Sequence, residues 1–444
     1  MFEFLNKNRG ISKNCLYIPI SLYIFCFINS SLSIAQDYNY YNANRLRFDD
    51  YIYDSLIHSV QLYPEGETSK QGLDFPLLNL GEQSSLLLDF DDFRGEYVTY
   101  NVKFIHCNFN WTPSVLSDAE FLSEYNLFPI YEFRNSFNTL QKYMHYHFKI
   151  PPMLVTGNYL LLVFRENDEQ ALALTKRFVI YQKDVVIEEK VGYSSNVPYR
   201  EKRHELDFRI LFDLHKVNNP RDEIKVVLRQ NGRWDNAITN LKPLFIKEGE
   251  LMYDYSDENN FDAGNEFRWF DTRSFRYITQ YVEKINADTF PVQVYLKKDT
   301  KRKGRVYTYE NDINGRYLIM NRDATVSSVE ADYGLVHFQL DADPVTNGTV
   351  YLIGSFTGWK ENPSNRMIYN EIKHEYSCSM YLKQGYYNYQ YGVKKYSGEK
   401  GFDVAPFEGN FAQTENEYDI LVYQMPMGGR YEKVIGYKTF RSGL

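Results

Sequence analysis

At 444 residues and 52.6 kDa the chain exceeds what one small core needs and leaves room for about three domains. Hydrophobic residues at 43% and charged residues at 24% match a soluble globular protein and exclude a disordered or multi-span membrane protein. Lys+Arg 50 against Asp+Glu 58 gives a net charge of −8, which argues against nucleic-acid binding through a cationic surface. Aromatic residues reach 17%, with 40 Tyr and 31 Phe, and such rings suit the pleated, half-buried surfaces of strands.

The N-terminus reads as an export signal. Lys7, Arg9 and Lys13 precede an uncharged stretch from Cys15 to Ile34 with its apolar heart at Leu22–Ile28. Ser33-Ile34-Ala35 then offers small residues where a signal peptidase cuts. Pro19, Ser21 and the serine-rich end interrupt the run of about 20 apolar residues that an anchor needs, and Tyr23-Ile24-Phe25 is too bulky for a lipobox at Cys26. Residues 1–35 are therefore expected to be removed, leaving 47 basic against 57 acidic residues, since three basic residues and Glu3 go with them. Cys107 and Cys378 remain, and two lone, distant cysteines read as buried thiols rather than a disulfide framework. No later segment has 18 consecutive apolar residues, and the strand-like runs are shorter than those of an outer-membrane barrel. A soluble, exported, periplasmic protein is expected.

Strand patterns dominate after residue 45. Ser85–Phe90 and Tyr97–Ile105 come first, and Tyr159–Phe164 with Lys176–Tyr181 reads as a hairpin around the polar insert Arg165–Gln170. Leu206–Leu211, Glu223–Arg229 and Pro291–Lys297 form a second set. Thr349–Ile353, Glu375–Leu382, Tyr386–Tyr391 and Tyr418–Tyr423 form a third, with Val336 at its start. Helical periodicity is confined to a turn or two in Ala119–Asn126. The pattern predicts an all-β protein of several immunoglobulin-like or fibronectin-like β-sandwich domains in tandem. The expected limits are 1–35 for the signal peptide, 36–183 for an N-terminal sandwich, 184–325 for a middle one and 326–444 for a C-terminal one. The basic stretch Lys297–Gly304 is expected to be a solvated loop inside the middle domain.

Catalytic motifs are missing. The sequence has no GxSxG, HExxH, CxxC pair, P-loop or GxGxxG, and no enzymatic activity or cofactor is expected. His145 and His147 share one face of a strand, but two imidazoles leave a zinc site two ligands short, and His106 beside Cys107 points the other way. Histidines hydrogen-bonded to backbone are expected instead, and no metal or catalytic residue is assigned. Asp89-x-Asp91-Asp92 and Asp254-x-x-Asp257-Glu258 lack the spacing of a calcium loop and read as solvated loops.

Two stretches resemble known families. Gly354-Ser355-Phe356-x-x-Trp359 and Leu382-x-x-Gly385-x-Tyr387-x-Tyr389 resemble the early-set immunoglobulin-like module that binds glucans in starch-acting enzymes, but Ser397–Phe407 holds Phe402 and lacks the usual second tryptophan. A structural sandwich is expected there, with glycan binding or processing as the alternative function. A more extensive set of strings covers about residues 45–440. It includes Tyr100-x-x-x-Phe104-Ile105-His106-Cys107-Asn108-x-x-Trp111-x-Pro113-Ser114, Tyr143-x-His145-Tyr146, Gly157-Asn158-Tyr159-Leu160 and Asn265–Tyr277. These resemble the type IX secretion system plug proteins of Bacteroidetes. The resemblance implies a non-catalytic periplasmic protein whose partner is the outer-membrane translocon barrel, with neither nucleic acid nor small-molecule substrate. In Asn265–Tyr277, charges alternate with rings, which fits either an ion-pair network between strands of the middle domain or a contact surface for the translocon.

Overall fold

Short apolar and alternating strand runs build the layers of the computed structural model, which describes residues 45–66, 72–214 and 217–443. The expected signal peptide lies outside the described residues. In the strand Leu86–Asp92, Leu86, Leu88 and Phe90 point into a core while Asp89 and Asp91 point away from it, as a period of two requires. That strand sits in a sheet of order Ile57–Pro64, Leu86–Asp92, Met144–Lys149, Glu132–Asn135. The opposing sheet runs Tyr51–Ile52, Leu172–Tyr181, Gly157–Arg165, Tyr100–Cys107, Phe128–Pro129. The hairpin Gly157–Arg165/Leu172–Tyr181 forms as the sequence predicts, with Phe178 opposite Tyr159. Between the sheets Leu88, Phe90, Val102, Phe104, Leu161 and Phe178 are buried, each contributing roughly 1.5–3 kcal/mol. Helix is scarce: Asp118–Phe121 is a single turn, its start fixed by the Glu120 carboxylate accepting from the Ser117 N–H at 2.8 Å.

The other two sandwiches are nested. A second core gathers Leu206, Phe208, Ile210, Val226, Leu228 and Tyr253 together with Ile420, Val422 and Ile435. One of its sheets places Val186–Tyr193, Arg203–Leu211, Glu250–Tyr253 and Phe245–Lys247 side by side; the other is Ile224–Gln230, Glu417–Gln424, Lys433–Arg441. A third core holds Phe270, Val294, Val336, Phe338, Leu352, Tyr387, Tyr389 and Tyr391. The strands Arg268–Asp271 and Gly385–Lys395 pair within it, and Tyr333–Asp341 runs parallel to Val292–Leu296.

The third sandwich is thus inserted in the chain between two parts of the second. The break expected at 325/326 divides the third core, and Glu417–Arg441 returns to the second, because Ile224–Gln230 needs Glu417–Gln424 as its ladder partner over seven residue pairs. Lys297–Gly304 is mostly the exposed loop expected of it, with two anchored points. Asp299–Thr300 pairs with Tyr333–Asp341, and Arg302 binds buried Glu408 at 2.7 Å. Cys107 and Cys378 are both free thiols, and burial raises each to about 12. Among the described residues no helix is long and apolar enough to cross a membrane.

A chain ended at residue 415 strips the Ile224–Gln230 strand of its partner and opens the second core. It is expected to be recovered as aggregate, or to lose its cooperative unfolding transition, when compared with the parent by solubility and circular dichroism.

Candidate functional site

The first sandwich carries a polar outer face, and its chemistry follows from strand register. Asp89 lies opposite His147, and Asp91 opposite His145. His147 Nδ1 is 2.6 Å from Asp89 Oδ1, His145 Nδ1 is 2.7 Å from Asp91 Oδ1, and the Tyr63 hydroxyl donates to Asp89. The expectation of a solvated loop at Asp89–Asp92 is therefore corrected: these are strand residues, and Asp91 and Asp92 are fully buried. Asp92 is held by Arg94 at 3.0 Å and by the Tyr100 hydroxyl at 2.8 Å. The two histidines pair with carboxylates rather than with backbone, a second correction. Among the described residues no group of three metal-binding side chains forms. His106 does follow expectation in part, facing Thr156 O at 3.2 Å and Ser114 Oγ at 2.8 Å, and burial lowers it to about 4. Asp254, Asp257 and Glu258 are exposed as predicted.

Half of this polar face is covered by the third sandwich. Lys383 Nζ reaches across to Asp91 Oδ2 at 2.5 Å, with both side chains 1% exposed. Tyr333 donates to the same oxygen at 2.6 Å and meets Ser59 Oγ at 2.6 Å. Asp332 accepts the backbone N–H groups of Leu140 and Gln141 at 2.6 and 3.0 Å, while the Tyr143 hydroxyl donates to Ala331 O at 2.8 Å. The ammonium of Lys383 lies 4.2 Å from the Tyr143 ring centre. Burial opposes ionisation of Asp91, but Lys383 and His145 outweigh it and hold the carboxyl below its usual range. For His145 burial is outweighed by Asp89 and Asp91, and His147 is raised chiefly by its bond to Asp89.

The other half stays open as a cleft of about 890 Å³ between Asp89, His145 and His147 on one side and Met320 and Ser327 on the other. The strand Glu132–Asn135 borders it, exposed at every residue and last in its sheet among the described residues. Beside it Tyr97 and Phe133 pack at 4.5 Å between ring centres, and Tyr131 is exposed.

The glycine-tryptophan module turns its tyrosines inward. Tyr387, Tyr389 and Tyr391 point into the third core, and Arg233 covers the Trp359 ring at 4.4 Å. The string Asn265–Tyr277 divides. Arg268 binds Asp299 at 2.7 Å and Glu408 at 3.0 Å, so its buried part is an ion-pair network, placed in the third core rather than between strands of a middle domain. Arg276 and Tyr277 at its end are exposed.

The profile of the family described as "Type 9 secretion system plug protein 1st domain" matches residues 57–182, the span of the first core. The crystal structure of a hypothetical protein from Parabacteroides merdae is similar over 90% of this chain and 100% of that one, with 32% identity and a TM-score of 0.85. The chain belongs to the type IX secretion system plug protein family. No curated protein matches it.

Membership places the protein in type IX secretion and in the cell envelope, and the plug family is not a family of enzymes. The His–Asp–Lys cluster joins two sandwiches. It sets the third sandwich on the first by compensating charges in a dry seam.

Two outcomes follow from that seam. Lys383→Met leaves Asp91 buried without its ammonium and is expected to cost about 3–5 kcal/mol in denaturant unfolding, with Asp91→Asn recovering part of the loss. His145 and His147 titrate above their unfolded value in the fold, so their contribution is complete below about pH 6.5 and is lost as pH rises through the raised values. His147→Gln should remove part of that decline, read as stability against pH.

Proposed function

We propose that the protein is a non-catalytic plug that binds the periplasmic opening of the type IX outer-membrane translocon and closes its channel between export events. Family membership carries this reading. A barrel that passes folded cargo leaves a hole in the outer membrane unless something occupies its mouth, and that task calls for shape and adhesion rather than catalysis.

The architecture supports it. Three close-packed cores joined by buried ion pairs resist deformation, as a stopper must. A stable seal needs more than about 1,000 Å² of buried surface with aromatic anchors. Tyr125, Tyr131, Phe137, Tyr277 and Phe290 are large rings exposed on the isolated chain and available for such contact. Tyrosine suits the purpose because its two torsions lose little entropy on ordering.

Deleting the protein should make the outer membrane permeable to large antibiotics that it normally excludes, and affinity purification from native membranes should recover the translocon barrel. Unchanged permeability in the deletion strain would sink the proposal.

A further inference from the structure

Where the three sandwiches converge, the chain encloses a second pocket of about 350 Å³, large enough for a small ligand. Its walls are rings stacked with guanidinium groups. Trp111 meets Trp234 edge to face at 5.0 Å, Arg177 lies 4.8 Å from Trp111, and Arg229 lies 4.5 Å from Trp234. From the third sandwich Arg316 lies 4.3 Å from Phe75.

The polar groups here are unevenly satisfied. Three of the four acids in the lining are engaged: Asp49 binds Lys360 at 2.7 Å, Asp50 binds Lys176 at 2.8 Å and Asp235 binds Arg233 at 2.7 Å, while Asp74 is exposed to solvent. Several donors are not. Gln61 Nε2, Trp111 Nε1, Arg229 Nη2 and Arg316 Nε are buried without a hydrogen-bond partner, although all four residues line the pocket; Asp49 Oδ1 is the acceptor in the same state. Gln61, Trp111 and Arg229 are each more than nine-tenths buried. Arg229 binds Asp419 through its Nε at 2.7 Å, and both Arg229 Nη2 and Asp419 Oδ2 are left without a partner. Buried donors without acceptors are rare, and four of them around one pocket call for an acceptor-rich guest. The backbone agrees. Trp111, Asn231 and Trp359 line the pocket with φ of 64°, 53° and 56°, a left-handed conformation that non-glycine residues seldom adopt and that recurs at ligand clamps.

We infer that this pocket binds a small organic anion, a carboxylate or phosphate borne on a ring, with the acid on the unpartnered donors and the ring between the aromatic walls. The inference stands apart from the plug reading and does not depend on it. A bound anion would touch all three sandwiches at once and so tighten their association.

The test uses the full mature chain with benzoate and phenyl phosphate as probes and benzamidine as a ring of opposite charge. Thermal unfolding and calorimetric titration are expected to show stabilisation and binding by the two anions and neither by benzamidine. Trp111→Phe keeps the ring and removes the indole N–H, and Gln61→Leu removes the amide at similar size. Each is expected to weaken anion binding about tenfold or more while the ligand-free melting temperature holds or rises. The inference is overturned if neither anion stabilises the protein, if benzamidine does so equally, or if both variants bind like the parent.

Discussion

The contact between Lys383 and Asp91 sets the arrangement of the first and third sandwiches. A buried ion pair adds little net stability, since desolvating two charges offsets most of their attraction. Its effect is on geometry. With both side chains 1% exposed, any displacement that separates them strands a charge in a dry seam. Tyr333, His145 and Ser59 close the same network from both sides, so a slip of one residue along a strand would break several bonds at once. Hydrophobic packing between the sandwiches would tolerate small shifts; this seam does not.

The unusual composition follows from the same chemistry. Tyrosine hydroxyls repeatedly bind carboxylates held inside the fold: Tyr63 on Asp89, Tyr100 on Asp92, Tyr333 on Asp91, and Tyr389 and Tyr391 on Asp299. A phenol is long, mostly apolar and ends in one donor, so it can cross a core and still satisfy an acid at the far side. Arginine serves the larger demand, as where Arg268 and Arg302 share Glu408. The excess of rings and the excess of acids are therefore two halves of one device, and only some of the rings are left over for the surface.

That device also explains what the sequence could reveal. Strands such as Tyr159–Phe164 and Tyr418–Tyr423 were legible because their short, largely apolar runs are local signals, and the all-β class followed from them. The strand Met144–Lys149 was harder, since His145 and His147 occupy its polar positions and nothing nearby marks that face as covered. Asp89 and Asp91 read as solvent-facing for the same reason: alternation tells which residues leave one core, not whether a second domain waits on the other side. The nesting was invisible in principle. Pairing of Ile224–Gln230 with Glu417–Gln424 spans about 190 residues, and no local pattern encodes a partner so far away. Of the functional reading, the family strings carried the association with type IX secretion; the charge seam and the pocket of unpartnered donors had no signal of their own, because each is assembled from residues in separate sandwiches.

Nesting has a mechanical consequence. An inserted domain is tied to its host by two chain crossings, near Ala263–Glu266 and Phe411–Thr414, instead of one linker, and those crossings bind each other through Gly264 O and the N–H of Phe411 at 2.8 Å. Rotation about a single bond is then blocked, because both crossings would have to turn together. The first sandwich is fixed to the insert by the Lys383 seam and to the host by Glu432, whose carboxylate accepts the Phe109 N–H at 2.7 Å. Each sandwich is thus restrained by the other two, and bending at one junction requires breaking buried polar contacts at another. Tandem domains on simple linkers would flex under load; a closed set of three mutual restraints does not.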